Sequence, residues 1–203
     1  MRITKIEPQK NKNRLNIFID DKFALSLDDE VAYKYKLELD MEIDDDFIEK
    51  ILIAEEEKKA INYALRLLSI RPRSEKEIRD ALKRRGYNEN IIENTINLCK
   101  EKDYINDRKF AETFIRDKIN FSKYGPERIK YELKLKGISD DIINRVLRIN
   151  RDEQYEMALE LGKKRLRLYR DDSKDAKYRK LNNFLQRKGY SYDVISKVLK
   201  ELL

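Results

Sequence analysis

The sequence predicts a mainly α chain, built as tandem three-helix repeats in an elongated curved array and preceded by a small antiparallel segment of three strands and a helix. Three observations carry that prediction. Gly86, Gly137 and Gly189 each close a basic helix end, LKRRGY, LKLKGI and LQRKGY, at spacings of 51 and 52 residues, a period that marks a repeat architecture. Charged residues make up 42% and hydrophobic ones 40%, with no Trp and 5 Gly, which suits slender helical units with charged outer faces. Apolar residues recur at helical spacing almost throughout, and both signs of charge are mixed, so the composition does not read as disorder.

Strand-like alternation is confined to the start. Ile3 and Ile6, then Leu15, Ile17 and Ile19 against Asn16 and Phe18, then Phe23, Leu25 and Leu27 against Ala24 and Ser26, give three short strands. Asp20-Asp21-Lys22 supplies a tight turn, and Gln9 to Asn13 a looser polar one. So few strands are marginal alone and need cover. Val31 to Leu39, a short helix capped by Asp28, is the nearest candidate. From Asp44 a longer stripe runs through Phe47, Ile51, Ala54, Lys58, Ile61, Leu65 and Leu68. It reads as a connecting helix with a break expected near Glu56.

The repeats follow. In the first, Pro72 stops a helix ending near Ile70, Ser74 and Glu77 form a capping box, Ile78 and Leu82 face inward, and Ile91, Ile92, Thr95, Ile96 and Cys99 line a third helix. The second repeats this register with Gly125 at the cap position of Ser74, Pro126 at the first helical position, Ile129 and Leu133 inward, and Ile142, Ile143, Val146 and Leu147 as the closing stripe. In the third, Leu181 and Leu185 are the inward pair, and Val194, Ile195, Val198 and Leu199 the stripe. The expected division is 1–43 for the strand and helix segment, 44–57 for the connecting helix, and 58–106, 107–152 and 153–203 for the repeats. Each repeat is too small to stand alone, so neighbours are expected to pack end to end.

The net charge of +7 conceals a division. Residues 1–57 hold 9 Lys and Arg against 16 Asp and Glu, which leaves 37 against 23 for residues 58–203. An acidic head precedes a body basic enough to fit a polyanion such as nucleic acid. With one cysteine, Cys99, no intramolecular disulfide forms and a reducing cytoplasm is the expected setting. No apolar run approaches the length of a membrane span, and the N-terminus lacks the apolar core of a signal peptide.

Catalytic groups are scarce. The chain has no histidine, and its glycines form no phosphate-cradling loop. Asp44 to Asp46, Glu55 to Glu57, Asp140-Asp141 and Asp171-Asp172 are carboxylate clusters that could in principle hold Mg²⁺ for a nuclease. Asp44 and Asp141 stand at predicted helix starts, where the macrodipole already favours them. A non-enzymatic chain without metal or cofactor is therefore expected.

Basic clusters are more informative. Arg71 and Arg73 flank Pro72; Lys83 to Arg85, Lys134 with Lys136, and Arg187 with Lys188 end three successive helices; Lys163 to Arg165, Arg167 and Arg170 load the last repeat. Two readings stay open for each cluster: a complement to the helix dipole, or a stripe that tracks phosphates or an acidic protein groove. Tyr104, Tyr124, Tyr169, Tyr190 and Tyr192 lie nearby, as packing residues or as platforms for unpaired bases. A helix-turn-helix over Ser74 to Glu101 is disfavoured as a groove reader, since its second helix offers Glu93, Asn94 and Asn97.

ALRLLSIRPRSEKEIRDALKRRGY (Ala64 to Tyr87), YINDRKFAETFIRDK (Tyr104 to Lys118) and YGPERIKYELKLKGI (Tyr124 to Ile138) resemble the RecX family, bacterial regulators of the RecA recombinase. The resemblance covers about residues 58–200, and the N-terminal strand segment is similar to that of longer members. Asp103 departs from the family's usual glycine; Asp tolerates the left-handed conformation, so little change is expected there. The resemblance implies a non-enzymatic protein that lies along the groove of RecA filaments on DNA and restrains ATPase, strand exchange and repressor cleavage. The contact residues expected on RecA or DNA are Arg71, Arg73, Arg108, Lys109, Lys123, Arg128, Lys134 and Lys136. A stand-alone nucleic-acid-binding protein is the alternative from another class. No membrane or small-molecule substrate is expected.

Overall fold

The structure is a computed structural model that describes residues 1–10 and 13–203. Three strands, β1 (Ile3–Pro8), β2 (Arg14–Ile19) and β3 (Lys22–Asp28), form an antiparallel sheet in that order. Ten α-helices follow among the described residues: α1 (Asp29–Lys34), α2 (Asp45–Ile70), α3 (Glu75–Arg84), α4 (Glu89–Glu101), α5 (Asp107–Asp117), α6 (Pro126–Leu135), α7 (Asp140–Val146), α8 (Arg151–Leu166), α9 (Lys174–Lys188) and α10 (Tyr192–Leu202). A single π-turn, Lys118–Ser122, extends α5, and a 3₁₀ turn, Arg167–Tyr169, extends α8. The chain divides into two compact units, one of Met1–Arg71 with Ile78–Tyr104 and one of Pro72–Glu77 with Ile105–Leu203.

In the first unit Asp20 and Asp21 both have positive φ, the geometry that a two-residue hairpin turn requires. The middle of the expected Gln9 to Asn13 turn, Asn11 and Lys12, lies outside the described residues. Two β-bulges alter the expected alternation. Ile3 pairs with Ile19 and Lys5 with Phe18, leaving Thr4 as the extra residue, so Ile3 and Ile6 both turn toward the core although they are three positions apart. On β3, Leu25 pairs with Ile17 but Phe23 with Phe18. The extra residue, Ala24, moves Phe23 off the inward face where simple alternation puts it. Phe23 is 59% exposed and meets the Phe18 ring edge-on.

Asp28 caps α1 as expected, accepting from the Glu30 N–H. The helix ends at Lys34 rather than near Leu39, because Lys36 takes a left-handed conformation. Nor does α2 break at Glu56; it runs unbroken from its Asp44 cap to Ile70. Glu55 explains the continuity. Its carboxylate, 2% exposed, accepts from the Arg14 guanidinium at 2.9 Å and the Asp28 N–H at 2.8 Å, tying the sheet to mid-helix. Lys58, which interrupts the apolar stripe, reaches Glu30 at 2.6 Å. Farther along, Ala60 and Ala64 are fully buried and let α4 pack closely on α2. Cys99 is buried on the same face, and burial raises its thiol pKa.

The second unit holds two three-helix groups, α5–α7 and α8–α10. Phe110, Ala111, Ile115, Ile129, Leu133, Ile138 and Ile143 centre one core; Ala158, Leu159, Leu181, Leu185, Tyr190 and the α10 stripe centre the other. First and third helices of each group pack together, α5 on α7 and α8 on α10.

Candidate nucleic-acid interface

Two junctions of one design order the second unit. The Ser74–Glu77 capping box forms, with Ser74 Oγ accepting from the Glu77 N–H and the Glu77 carboxylate accepting from the Ser74 N–H. Ser74 also donates its hydroxyl to the Lys136 carbonyl at 2.7 Å, where α6 ends. At the next junction Gly125 holds the position of Ser74, and its N–H donates to the Lys188 carbonyl at 2.8 Å, where α9 ends. The Glu127 N–H adds a bond to the Gly189 carbonyl at 3.2 Å. Each junction therefore sets the positive end of one helix on the negative end of another.

The glycine junction brings α9 against the π-turn. Lys188 donates to the Ser122 carbonyl at 2.9 Å, and the buried Tyr190 hydroxyl to the Lys123 carbonyl at 2.9 Å. Lys123 ends the π-turn in a left-handed conformation, φ 50° and ψ 47°. The chain is thereby re-aimed so that Lys118 and Tyr124, on either side of the turn, come within 5.2 Å.

Around this point cations and rings alternate without interruption. Lys136 lies 5.6 Å from the Phe114 ring, Lys118 5.0 Å from Phe114 and 5.2 Å from Tyr124, and Lys188 4.9 Å from Tyr124 and 5.8 Å from Phe184. Arg165 continues the series at 4.9 Å from Phe184 and 5.5 Å from Tyr169, and Lys180 ends it 5.3 Å from Tyr169. Arg128 joins from the side, over Tyr124 and Tyr131. Several rungs come from neighbours four apart on one helical face: Phe114 and Lys118, Phe184 and Lys188, Arg165 and Tyr169. The rungs between elements depend on the junction.

Counter-ions are unevenly distributed along this ladder. Lys136 pairs with Glu77 at 2.9 Å, Lys118 with Glu132 at 3.3 Å and Lys180 with Asp172 at 2.8 Å. Arg165 and Lys188, at its middle, make no carboxylate pair among the described residues; Arg165 donates to the Tyr169 hydroxyl and Lys188 to a carbonyl. Burial, and then the Arg165 guanidinium, lower the Lys188 pKa. An anion placed here meets positive charge that the protein leaves uncompensated.

The expected contact residues divide accordingly. Arg128 and Lys136 belong to the ladder, Arg128 also bonding Glu132 at 2.9 Å. Lys123 lies 3.6 Å from Glu160, whose pKa is lowered by Lys164 and then by Lys123. Lys134 pairs with Asp140 at 2.8 Å and holds that carboxyl below its usual range. Arg108 pairs along its own helix with Glu112 at 3.0 Å. Lys109 is exposed on the same helix, Arg71 is the exposed C-cap of α2, and Arg73 is half-buried just before α3. The contact set had no place for Lys118, Arg165, Lys180 and Lys188, nor for the rings between them; for Lys118, Arg165 and Lys188 an aromatic residue four positions away was the signal, whereas Lys180 meets Tyr169 only through the fold.

Tyrosines divide as well. Tyr104 and Tyr192 are exposed, Tyr190 is core, and Tyr124 and Tyr169 lie half-buried under cations. The acidic clusters have structural occupations: Asp44 caps α2, Glu55 holds the sheet, and Asp172 pairs with Lys180.

Four family models match the chain: the regulatory protein RecX N-terminal domain over residues 1–44, and the first, second and third RecX three-helix domains over 60–97, 106–147 and 152–199. A regulatory protein RecX of Clostridioides difficile (strain 630) is 38% identical over 203 residues, spanning 99% of this chain and 95% of that one. One from Bacillus licheniformis is 37% identical over 98% of this chain and 76% of its own. A crystal structure of a regulatory protein RecX matches with a TM-score of 0.82 at 30% identity, covering 98% of both chains. That of RecX from Lactobacillus salivarius matches with a TM-score of 0.66 at 36% identity, over 73% of this chain and 97% of the other. With three-helix domains recognised in register behind the N-terminal sheet, and relatives aligned along nearly the whole length, the chain belongs to the RecX family of regulatory proteins.

Proposed function

We propose that this protein is a non-enzymatic, cytoplasmic modulator of the RecA recombinase, chiefly an inhibitor, that binds along the groove of RecA filaments on DNA and so regulates recombinational repair. The observation that carries this reading is the ladder from Lys136 to Lys180, with Arg165 and Lys188 uncompensated at its centre. Such a track suits the phosphate backbone of a filament-bound strand, and its half-buried rings hold the cations in place. The regulatory name of the relatives supports a regulatory role.

The test uses RecA preassembled on single-stranded DNA. Substoichiometric to stoichiometric addition of the protein is expected to slow ATP hydrolysis and strand exchange; no change in either at equal concentration overturns the proposal. The ladder also favours a second reading, nucleic-acid binding without RecA. That reading predicts steeply salt-dependent affinity for bare DNA with no effect on the filament.

A further inference from the structure

We infer that a groove on the second unit, apart from the cationic ladder, docks a protein segment in which a large aliphatic side chain is flanked by lysine or arginine. The groove encloses about 660 Å³ and is lined by Ile119, Lys123, Arg148, Ile149, Asn150, Asp152, Glu153, Glu156 and Met157. That volume lies within the ordinary range for ligand sites.

Its floor comes from both three-helix cores. Ile119, on the π-turn, and Ile149, before α8, are half-buried outliers of the α5–α7 core, and Met157 is one of the α8–α10 core. The mostly apolar wall therefore lies along the seam where the two groups meet. Methionine in such a wall adapts to aliphatic shapes of several kinds.

Charge at the rim selects the occupant. Glu153 is used in the Asn150 capping box. Asp152 and Glu156 are exposed on the first turns of α8 and form no ion pair among the described residues. Lys123 is already engaged by Glu160 at 3.6 Å. Arg148, exposed just before α8 and likewise without an ion pair among the described residues, brings one positive charge, so the uncommitted charge at this rim, Asp152 and Glu156 against Arg148, stays negative, in contrast to the basic unit around it. Phosphate is repelled from such a rim, whereas a cation beside an apolar anchor gains from both.

The experiment follows the methyl resonances of Ile119, Ile149 and Met157 in the full chain while peptides are titrated. The probes are an acetylated, amidated Lys-Leu-Lys-Ile-Lys peptide, its Glu-Leu-Glu-Ile-Glu counterpart, and Lys-Ser-Lys-Ser-Lys. The first is expected to shift all three methyls saturably, and the other two are not. Glu156→Lys should weaken the first peptide about fivefold, the scale of one partly exposed ion pair turned repulsive. Asp152→Asn, a milder change at the same rim, should weaken it in the same direction. No saturable shift, equal shifts from the acidic or the serine peptide, or unchanged affinity in both variants overturns the inference. Because the readout contains no RecA, failure of the recombinase proposal and failure of this one are separately visible.

Discussion

A Cβ placed on Gly125 would stand 2.3 Å from the Gly189 carbonyl oxygen, so the two glycines meet with no room for a side chain. Gly86, the counterpart of Gly189 in the first repeat, shares its left-handed conformation but has open space where a Cβ would go. Gly125→Ala is expected to cost about 3 kcal/mol in urea unfolding of the second unit, the scale of forced overpacking. Gly86→Ala should cost about 1 kcal/mol, the conformational penalty alone. Equal costs at the two sites would show that the junction does not depend on close approach.

For the ladder, the uncompensated cations should matter most. Lys188→Ala is expected to weaken single-stranded DNA binding across all sequences and to lower the salt slope by about 0.7, one phosphate contact. Arg165→Ala should act likewise, and Lys180→Ala, which leaves Asp172 unpaired, should weaken binding mainly through repulsion. Anisotropy titrations at several salt concentrations read the slope, and a Lys188→Ala slope equal to the parent's removes Lys188 from the contact.

Lys188 also makes a prediction in pH. Its folded pKa is lowered, by burial first and Arg165 second. Its charged form is therefore disfavoured by folding: the penalty is present at neutral pH and fades as pH rises from the folded value toward the unfolded one. Bound polyanion favours the charged form and restores the pKa. Binding in the alkaline window just below the usual lysine range should then take up protons, measurable by calorimetry in buffers of different ionisation enthalpy. In Lys188→Ala the uptake should shrink; an undiminished uptake assigns it to other groups.

Glu55 is the electrostatic anchor of the first unit. Glu55→Ala leaves the Asp28 N–H without its acceptor and the half-buried Arg14 guanidinium without its carboxylate, with only the Ser26 carbonyl and hydroxyl to accept from it. The expected loss is about 3–5 kcal/mol, as for a buried pair deprived of one partner. Chemical denaturation followed by a probe in the sheet checks it, and a loss under about 1 kcal/mol means that water replaces the carboxylate.

Thr95 offers the opposite sign. Its hydroxyl, on the buried face of α4, has no hydrogen-bond partner among the described residues. Thr95→Val keeps the shape and removes the desolvated hydroxyl, so a gain of about 1 kcal/mol in unfolding free energy is expected. A loss instead would reveal a partner such as a buried water.

Local chemistry is what the sequence displays best. The Ser74–Glu77 box and the Asp28 and Asp44 caps were legible because donor and acceptor lie within three residues of each other. The left-handed Asp103, φ 56°, was legible only through the resemblance, which puts glycine at that position. Phe23 was not, because the extra residue that turns it outward is defined only by the partner strand. The helix through Glu56 was misjudged because three consecutive carboxylates look like a break until Arg14, far away in sequence, is seen to hold one. Of the ladder, the rungs within one helix were available from spacing; those joining Lys118 to Tyr124 and Lys188 to Tyr124 come from a π-turn and a glycine contact that no periodicity encodes.

The two bulges of the small sheet fall on its outer strands, Thr4 on β1 and Ala24 on β3. An outer strand with regular spacing is a template on which another chain can add itself. One extra residue bends the strand and puts its amides and carbonyls out of step with any straight newcomer. At Thr4 the side chain reinforces the irregularity by accepting the Asp21 N–H at 2.9 Å. The features that overturned simple alternation in the sequence thus give the outer strands a defence against edge-to-edge aggregation, and the segment Asp40 to Ile43 adds to it by bonding along β1 at Met1 and Ile3.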